Sequence, residues 1–339
     1  MKEVYISRKI FNQALEILKN EEIGFEMNEL DVPLSKPELI EKIRDVNGLI
    51  CLLTDWIDVE ILEASPRLKA ISNIAAGFDN IDVNTAPERG ILVTNTPDVL
   101  TDTTADLAFA LLMSAARRIP EADRFTRAGK YNGWELMHPH LGLDIYGKTL
   151  GIIGMGRIGT AVAKRGHRGF DMKILYYVER RNEAAEQELD AEYVSFDELL
   201  ERSDFITVHV PLTEKTRHMF NMEAFEKMKN NAILVNTSRG PVVDEKALAQ
   251  ALKAGEIKGA ALDVYEGEPK IHPELVKLEE HVVLVPHIGS ASVETRIKMA
   301  VMAAENMVAA LKGEEPPNLV NQEALKSQSR EGKAEVKMR

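Results

Sequence analysis

The stretch Gly154-Met155-Gly156-Arg157-Ile158-Gly159 decides how the rest of this chain is interpreted. It follows the apolar run 150–153 and precedes a helix-forming stretch over residues 160–169. A glycine-rich turn between a strand and a helix brings backbone N–H groups and the positive end of the helix together, where a pyrophosphate can bind. A further strand predicted over residues 172–178 completes a βαβ unit of the right length. The pattern therefore predicts a dinucleotide site.

The glycine stretch lies near the middle of a chain of 339 residues, which is longer than one hydrophobic core usually supports, so two domains are expected. An apolar fraction of 45% and a charged fraction of 28% are typical of globular proteins. No apolar run approaches the ~20 residues that a membrane span needs. A net charge of −12 argues against nucleic-acid and anionic membrane partners. Cys51 is the only cysteine and the chain starts with a strand-like run instead of a signal peptide, so we expect a cytoplasmic protein.

Short β-branched runs alternate with helical patterns over the first hundred residues and predict a small doubly wound sheet. The predicted strands lie at residues 4–7, 24–27, 48–53, 68–71 and 91–94, with helices through residues 11–18, from residue 37 and over 57–63. A longer helix follows, with Asp102 or Thr103 as its N-cap and residues 105–113 apolar on nearly every side. Such a helix is expected at a domain junction or a subunit interface, although burial within one chain would give the same pattern.

A second alternating series starts at residue 148 and predicts the parallel strands of a nucleotide-binding sheet. These strands lie at residues 150–153, 173–178, 205–210, 232–236, 260–263 and 282–285. A helix over residues 245–254 is predicted between Asp244 as N-cap and Gly255 as C-cap. One long amphipathic helix is expected over residues 293–311, followed by a charged, mobile tail over 322–339.

The cofactor preference depends on the end of the strand at 173–178, where the sequence is Tyr177-Val178-Glu179-Arg180-Arg181. The carboxylate of Glu179 can accept hydrogen bonds from the adenosine ribose, which favours NAD. Arg180 and Arg181 could instead bind a 2′-phosphate, which would favour NADP, or lie in a solvated turn. NAD is the favoured cofactor, and NADP remains open.

Three segments at predicted strand ends carry residues suited to catalysis, because ligands gather at the carboxyl ends of strands in such sheets. Residues 236–240 contain Arg239, residues 263–269 contain Glu266 and Glu268, and residues 286–291 contain His287. Singly, these would be a surface arginine, turn carboxylates and a structural histidine. Together they offer a fixed cation, a carboxylate and a titratable imidazole.

With these segments the chain resembles the D-isomer-specific 2-hydroxyacid dehydrogenase family over nearly its whole length apart from the tail. Within that family it most resembles glyoxylate and hydroxypyruvate reductases. The motifs that carry the resemblance are residues 73–82 (NIAAGFDNID), 94–97 (TNTP), 104–107 (TADL), the glycine stretch and the three strand-end segments.

The resemblance implies a catalytic trio of Arg239, Glu268 and His287, with Glu268 chosen over Glu266 from its place before Pro269. It implies that Ala75, Ala76 and Gly77 bind the substrate carboxylate through backbone amides, together with Arg239 and His287. The cofactor-binding residues expected are Thr104, Gly154, Met155, Gly156, Arg157, Ile158, Gly159, Val178, Glu179, Arg180, Val210, Pro211, Thr237, Ser238, Arg239, Asp263, His287 and Gly289.

The implied architecture is α/β, with two Rossmann-like doubly wound parallel-sheet domains. A discontinuous, flavodoxin-like substrate domain would comprise residues 1–100 and 288–320, and an NAD(P)-binding Rossmann domain residues 101–287. A homodimer formed through the cofactor domains is expected, and no metal.

The implied reaction suits these residue types. Arg239 is permanently charged and planar, so it can bind both the carboxylate and the C2 carbonyl of a 2-oxo acid. His287 would protonate the carbonyl oxygen as hydride arrives from the nicotinamide, and Glu268 would fix its tautomer and favour the imidazolium. Glyoxylate and hydroxypyruvate are the substrates expected first, and pyruvate or a branched analogue second.

Three alternatives stay open within this resemblance. One is a D-lactate-type dehydrogenase, and another is a phosphite dehydrogenase, which would be expected to carry a lysine where Ala76 stands. The third is a non-catalytic, NAD(H)-sensing protein like the corepressors that share this fold. His138 and His140 could suggest a metal, but two histidines without a third ligand are usually loop residues.

Overall fold

The computed structural model describes residues 2–325, and contacts divide the chain into two compact units. Unit 1 comprises the residues up to Leu100 and those from Ala291 onward, and unit 2 comprises Thr101–Ser290. Most of the predicted tail, residues 326–339, lies outside the described residues. Residues 322–325 do not fit the prediction of a mobile tail, because they include a helical turn in which Ala324 is fully buried.

Strands and helices alternate along both units. The strands are β1 (Val4–Ile6), β2 (Phe25–Met27), β3 (Gly48–Leu52), β4 (Ala70–Ile74), β5 (Leu92–Thr94), β6 (Thr149–Ile153), β7 (Lys173–Tyr177), β8 (Glu192–Tyr193), β9 (Phe205–Val208), β10 (Ile233–Asn236), β11 (Gly259–Leu262) and β12 (Val282–Leu284). The helices are α1 (Asn12–Asn20), α2 (Lys36–Ile43), α3 (Val59–Glu63), α4 (Thr101–Ala116), α5 (Ile119–Arg127), α6 (Arg157–Phe170), α7 (Glu183–Leu189), α8 (Phe196–Arg202), α9 (Met222–Lys227), α10 (Glu245–Ala254), α11 (Pro273–Val276) and α12 (Val293–Leu311).

Unit 1 is built on a five-stranded parallel sheet with the order β2-β1-β3-β4-β5. This order is that of flavodoxin-like sheets, as predicted. The short strands β1, β3, β4 and β5 are almost entirely buried on both faces, as in most parallel sheets, whereas the edge strand β2 is half-buried. Helix α12 packs on this sheet, where the buried Ser72 donates a hydrogen bond from Oγ to the carbonyl oxygen of Ala303 at 2.8 Å.

Unit 2 is built on a seven-stranded parallel sheet with the order β12-β11-β10-β9-β6-β7-β8. Counted from β6 as its first strand, the order from the β8 edge is 3-2-1-4-5-6-7, the Rossmann order with one added strand. The direction of winding reverses between β6 and β9, and such a switch point is where open α/β sheets bind ligands. The sequence patterns missed β8, since two exposed residues carry no strand-like alternation.

Helix α4 begins at Thr101, one or two residues before the predicted N-cap, and its apolar side chains pack on α6, β10 and β11 of its own unit. Its apolar character is thus accounted for by burial within unit 2.

Helix α10 begins and ends at the predicted residues. Asp244 accepts a hydrogen bond from the Ala247 N–H at the first turn, and Gly255 has a left-handed backbone conformation at the end. No helix in the described part of the chain is long and apolar enough to cross a membrane.

Candidate active site

The glycine stretch forms the turn between β6 and α6 in unit 2. Gly154 has a φ of +95°, and a Cβ added there would lie 2.5 Å from the carbonyl oxygen of His209. A Cβ on Gly159 would lie 2.0 Å from the carbonyl oxygen of Gly154. Both positions require glycine, because the backbone of the turn approaches β9 and its own helix too closely for any side chain.

Gly156 differs from its two neighbours in the motif, because a Cβ added there would meet no atom within 4 Å. It is the N-cap of α6, where the first N–H groups of a helix have no partner within the helix itself. No contact within the protein requires glycine at this position. The absence of a side chain at a helix N-terminus leaves room for a phosphate to approach the backbone. The turn therefore fits the pyrophosphate of a dinucleotide.

The buried hydroxyl group of Thr237, just after β10, also fits a bound cofactor. Thr237 is 9% exposed, and among the described residues its Oγ1 has no hydrogen-bond partner. A buried hydroxyl is normally paired, so one left unpaired in the protein alone is suited to a ligand contact. The predicted cofactor residues Val178, Val210 and Pro211 lie just after β7 and β9 on the same sheet.

The acidic and basic side chains after β7 have separate partners. Glu179 accepts from Lys215 Nζ at 2.9 Å, and both side chains are exposed. Arg181 is bound by both carboxylate oxygens of Glu186 and stacks over the ring of Tyr193. Arg180 is exposed and makes no ion pair within residues 2–325. Of the two arginines, Arg180 is therefore the one available to a ligand.

His287 and Glu268 lie against each other at the carboxyl end of the unit 2 sheet. The Nδ1 atom of His287 is 2.9 Å from Oε2 of Glu268, and Oε1 of Glu268 accepts from the N–H of Tyr265 at 3.0 Å. Both carboxylate oxygens are therefore engaged. Because Nδ1 contacts a carboxylate, it carries the proton, and Nε2 is left to face other groups.

Charges around Glu268 keep it ionised. Burial alone would raise the pKa of Glu268, but the hydrogen bond and charge of His287, the Tyr265 N–H and the positive charge of Arg239 outweigh burial and hold this pKa below its usual value. The carboxylate is thus negative throughout the neutral range, where it can accept the Nδ1 proton of its partner.

Arg239 lies on the loop after β10, and Asn236 shapes that loop. The side chain of the fully buried Asn236 donates to the carbonyl oxygen of Arg239 at 3.0 Å and accepts from the N–H and Oγ of Ser238. Gly240 packs directly on the next loop, since a Cβ there would lie 1.9 Å from the carbonyl oxygen of Tyr265. The loop with Arg239 and the loop with Glu268 are therefore held together by backbone contact.

Asp263 positions the third loop. Its carboxylate accepts from the N–H groups of Ile288 at 2.6 Å and Gly289 at 2.8 Å, and its carbonyl oxygen accepts from the N–H of His287. Burial raises the pKa of Asp263, with the two N–H donors and the charge of His287 acting in the opposite direction. His287 has a φ of +51°, a conformation that is costly for a residue with a Cβ and that these hydrogen bonds hold in place.

Comparison with known proteins gives the family. Residues 109–289 match the family model described as D-isomer specific 2-hydroxyacid dehydrogenase, NAD binding domain. The chain belongs to this family. It is 55% identical over 326 residues to a glyoxylate reductase of Korarchaeum cryptofilum, which covers 95% of this chain and 97% of the relative.

Two solved structures of the family carry different cofactors. An NADPH-dependent glyoxylate/hydroxypyruvate reductase from Sinorhizobium meliloti, in complex with NADP and malonate, is 33% identical with a TM-score of 0.81 and covers 95% of this chain and 97% of that one. A D-lactate dehydrogenase from Aquifex aeolicus, complexed with NAD and lactic acid, is 28% identical with a TM-score of 0.82 and covers 94% and 99%. The dehydrogenase described here thus has an NAD(P)-binding domain, and the comparisons do not separate NAD from NADP.

Glu266, the other carboxylate considered from the sequence, faces away from His287 in this dehydrogenase. Its Oε1 contacts His218 Nε2, and its Oε2 accepts from the N–H of Glu245 at 3.0 Å. Glu245, 4% exposed, in turn accepts from the N–H groups of Glu266 and His272. Glu245 thus holds the loop that carries Glu268. Neither this role nor that of Asn236 was predicted from the sequence, because Glu245 acts on backbone atoms of another loop and Asn236 on those of the loop that follows it.

Other titratable residues noted in the sequence have structural surroundings. Cys51 is buried, and burial raises the pKa of its thiol well above the usual value. His138 and His140 pack against the ring of Phe125. Desolvation lowers the pKa of His209 to about 3, so this residue is neutral. Within residues 2–325, no group of three or more His, Cys, Asp or Glu side chains is arranged to hold a metal ion.

The predicted carboxylate-binding loop lies in unit 1, directly after β4. Ala75 is 4% exposed, and Ala76 and Gly77 are half-buried. Thr104 lies in unit 2, near the start of α4. It is a neighbour of Gly289, since a Cβ added to Gly289 would lie 3.5 Å from Cγ2 of Thr104. The two units thus each contain a group of the predicted site residues.

Proposed function

We propose that this dehydrogenase reduces a small 2-oxo acid, glyoxylate or hydroxypyruvate first, to the D-2-hydroxy acid with NAD(P)H. The observation that carries the proposal is the contact between His287 and an ionised Glu268 whose pKa also responds to the charge of Arg239. A histidine proton donor and a guanidinium that both act on Glu268 suit an anionic substrate whose carbonyl oxygen gains negative charge. The names of the relatives at about half identity support the choice of glyoxylate.

Each member of the trio has a distinct task in this proposal. Arg239 binds the substrate carboxylate and stabilises the charge that develops on the C2 oxygen. His287 gives its Nε2 proton to that oxygen in reduction and takes it back in oxidation. Glu268 keeps the Nδ1 proton in place, so that Nε2 is the nitrogen that acts on the substrate. The bound nicotinamide supplies or accepts the hydride.

The remaining site assignments are part of the same proposal. Ala75, Ala76 and Gly77 bind the substrate carboxylate, and the residues around the glycine stretch and the ends of β7, β9, β10 and β11 bind the cofactor. Residues 1–100 and 288–320 are assigned to the substrate domain and residues 101–287 to the cofactor domain. The open space at Gly156 and the unpaired hydroxyl of Thr237 support the cofactor assignment.

A substrate panel tests the proposed activity. NADH and NADPH oxidation is followed with glyoxylate, hydroxypyruvate, pyruvate and phenylpyruvate, and the chirality of the product from hydroxypyruvate is determined. The proposal expects the highest kcat/KM for glyoxylate or hydroxypyruvate and the D product. A preference for pyruvate would favour the D-lactate-type alternative, and NADH binding without turnover of any acid would favour the sensing protein.

For the cofactor, we propose that NAD is preferred through Glu179 and that NADP also binds, with Arg180 beside its 2′-phosphate. Lys215 neutralises part of the charge on Glu179, and Arg180 is exposed without an ion pair in the described part of the chain. Fluorescence titration of NADH and NADPH measures both affinities. Arg180→Ala is expected to weaken NADPH binding and leave NADH unchanged, and an equal effect on both cofactors would contradict this role.

We further propose a homodimer formed through unit 2. Large apolar side chains are exposed between α5 and β6, including Trp134 at 82%, Leu136 at 73% and Met137 at 80%. Light scattering gives the molar mass of the wild type and of a double variant, Trp134→Ser with Met137→Ser. The control variant is Trp56→Ser, which replaces an exposed tryptophan of unit 1. Only the double variant is expected to become monomeric. The cytoplasmic location expected from the sequence stays a prediction.

A further inference from the structure

His218, between β9 and α9, has a backbone conformation that is unusual for a histidine. Its φ is +51°, in the left-handed region that glycine and asparagine adopt at lower cost. A residue kept in such a conformation is a reason to ask what its side chain does. The imidazole of His218 is half-buried and contacts another loop of unit 2.

The backbone of His218 is bound to the loop that carries Arg239. The N–H of His218 donates to the carbonyl oxygen of Pro241, which lies two residues after Arg239, at 2.8 Å. The N–H of Phe220 donates to the next carbonyl oxygen of that loop, on Val242, at 3.2 Å. The position of His218 is thereby fixed relative to the Arg239 loop.

The imidazole of His218 is bound to the loop that carries Glu268. Its Nε2 atom contacts Oε1 of Glu266, which lies two residues before Glu268. Since a carboxylate only accepts hydrogen bonds, Nε2 is the donor. Oε2 of Glu266 accepts from the N–H of Glu245 at 3.0 Å, and the N–H of Glu266 donates to Oε1 of Glu245 at 2.8 Å. Glu266 is therefore held through both carboxylate oxygens and through its own N–H.

The contact through His218 adds to the backbone contact between the same two loops. That backbone contact is the close packing of Gly240 on the carbonyl oxygen of Tyr265. One contact alone would leave a loop free to rotate about it, whereas two separate contacts prevent the rotation. Because Glu268 contacts Nδ1 of His287 at 2.9 Å, a rotation of its loop would also disturb the proposed proton donor.

We propose that His218 is a positioning residue for proton transfer, because it holds the loop of Arg239 and the loop of Glu268 in one relative orientation. The inference rests on the proposed function, in which Arg239 stabilises the charge on the C2 oxygen and His287 protonates that oxygen. Both groups must then reach the same atom. A small displacement of the proton donor from an oxygen that Arg239 already binds slows the reaction more than it weakens substrate binding.

The test uses His218→Gly, because glycine accepts the left-handed backbone and removes the imidazole. The kcat for glyoxylate reduction is expected to fall about tenfold. The inhibition constant of oxamate, an unreactive analogue of the 2-oxo acid, and the Kd for NADH should stay as in the wild type. The alkaline limb of the pH profile should also keep its position, since Glu268 retains its charge.

Asp190→Gly is the matched control for the change in backbone freedom. Asp190 is also left-handed, with a φ of +49°, and lies exposed at the end of α7. Both substitutions relieve a left-handed conformation and add freedom to the unfolded chain, so their effects on Tm should be similar. Only His218→Gly should lower kcat.

A double-mutant cycle tests whether His218 acts through Glu266. Glu266→Ala is expected to lower kcat at least as much as His218→Gly, and His218→Gly should cause no further loss in that background. His218→Asn covers the case in which His218→Gly does not fold. Asparagine also tolerates the left-handed backbone, but its shorter side chain ends before the position of Nε2, so the same loss of kcat is expected.

An unchanged kcat in the His218 variants, an equal loss in Asp190→Gly, or fully additive losses in the double variant would overturn the positioning role. A rise in the oxamate inhibition constant as large as the loss of kcat would overturn it as well, because His218 would then act on substrate binding. Wild-type protein that neither reduces glyoxylate nor binds oxamate would instead overturn the proposed function and this inference with it.

Discussion

The imidazole of His287 and the carboxylate of Glu268 are joined by a 2.9 Å contact between Nδ1 and Oε2, although the two residues come from different loops of the unit 2 sheet. The backbone N–H of Tyr265 holds the second carboxylate oxygen, and the N–H of His287 is bound to the carbonyl oxygen of Asp263. Both partners are therefore oriented before any substrate binds, as an acid–base pair requires.

Glu268→Gln should move the alkaline limb of the pH profile for reduction. Because the pKa of Glu268 is held below its usual value, the wild-type side chain is negative at neutral pH and lies against the ring that donates the proton. Without this charge, the proton donor is less stabilised, so the alkaline limb of kcat/KM should move to lower pH. Initial rates of glyoxylate reduction across pH give the limb directly.

Glu266→Gln is the matched control for this profile. Glu266 lies on the same loop but contacts His218 and the N–H of Glu245. Its alkaline limb should coincide with that of the wild type. Equal shifts in both variants, or no shift in either, would show that Glu268 does not set the charge of the proton donor.

Gly240→Ala should separate the loops that carry Arg239 and Glu268. A Cβ at this position would lie 1.9 Å from the carbonyl oxygen of Tyr265, so the backbone must move. We expect a loss of stability of roughly 1–3 kcal/mol and a larger relative loss of kcat/KM. Gly267→Ala is the control, because Gly267 is next to Glu268 in the chain. A Cβ at Gly267 would have only the carbonyl oxygen of Lys270 within 4 Å, at 3.9 Å, so stability and kcat/KM should remain nearly unchanged. Equal Tm and kcat/KM in the two variants would be inconsistent with the close approach.

Gly156→Ala should weaken cofactor binding without destabilising the protein. Its φ of −79° suits alanine, and the added Cβ would project into open space at the start of α6. We expect an unchanged Tm and a Kd for NADH raised about tenfold or more, because the methyl group occupies the place of the pyrophosphate. Gly169→Ala, also in α6 and also facing open space, should leave the Kd for NADH unchanged and not lower Tm. Equal NADH affinity in both variants would exclude the pyrophosphate from this turn.

The sequence predicted the elements of the fold well wherever their signals are local. The helix over residues 245–254 was located to the residue because Asp244 and Gly255 act on their own chain neighbourhood. The two strand orders followed from the resemblance and from the alternation of strands and helices. The two-residue strand β8 was missed, because its residues become a strand only by pairing with β7.

The candidate site was predictable as a set of residue types and less so as a set of contacts. Arg239, Glu268 and His287 were marked by the motifs around them. The supporting residues Asn236 and Glu245 bind backbone atoms, those of Glu245 on a loop distant in sequence, and such contacts leave no periodic pattern. The partners of Glu179 and Arg181 were equally invisible, since Lys215 and Glu186 reach them only in the folded chain.

The role of Arg239 in the reduction of glyoxylate is tested by the kcat/KM for glyoxylate of the wild type and of Arg239→Ala, measured beside the Kd for NADH. We predict that the wild type reduces glyoxylate and that the variant loses about a hundredfold or more of kcat/KM while it still binds NADH, because the guanidinium stabilises charge on the substrate. Glyoxylate turnover that is absent in the wild type, or undiminished in Arg239→Ala, would contradict the central claim.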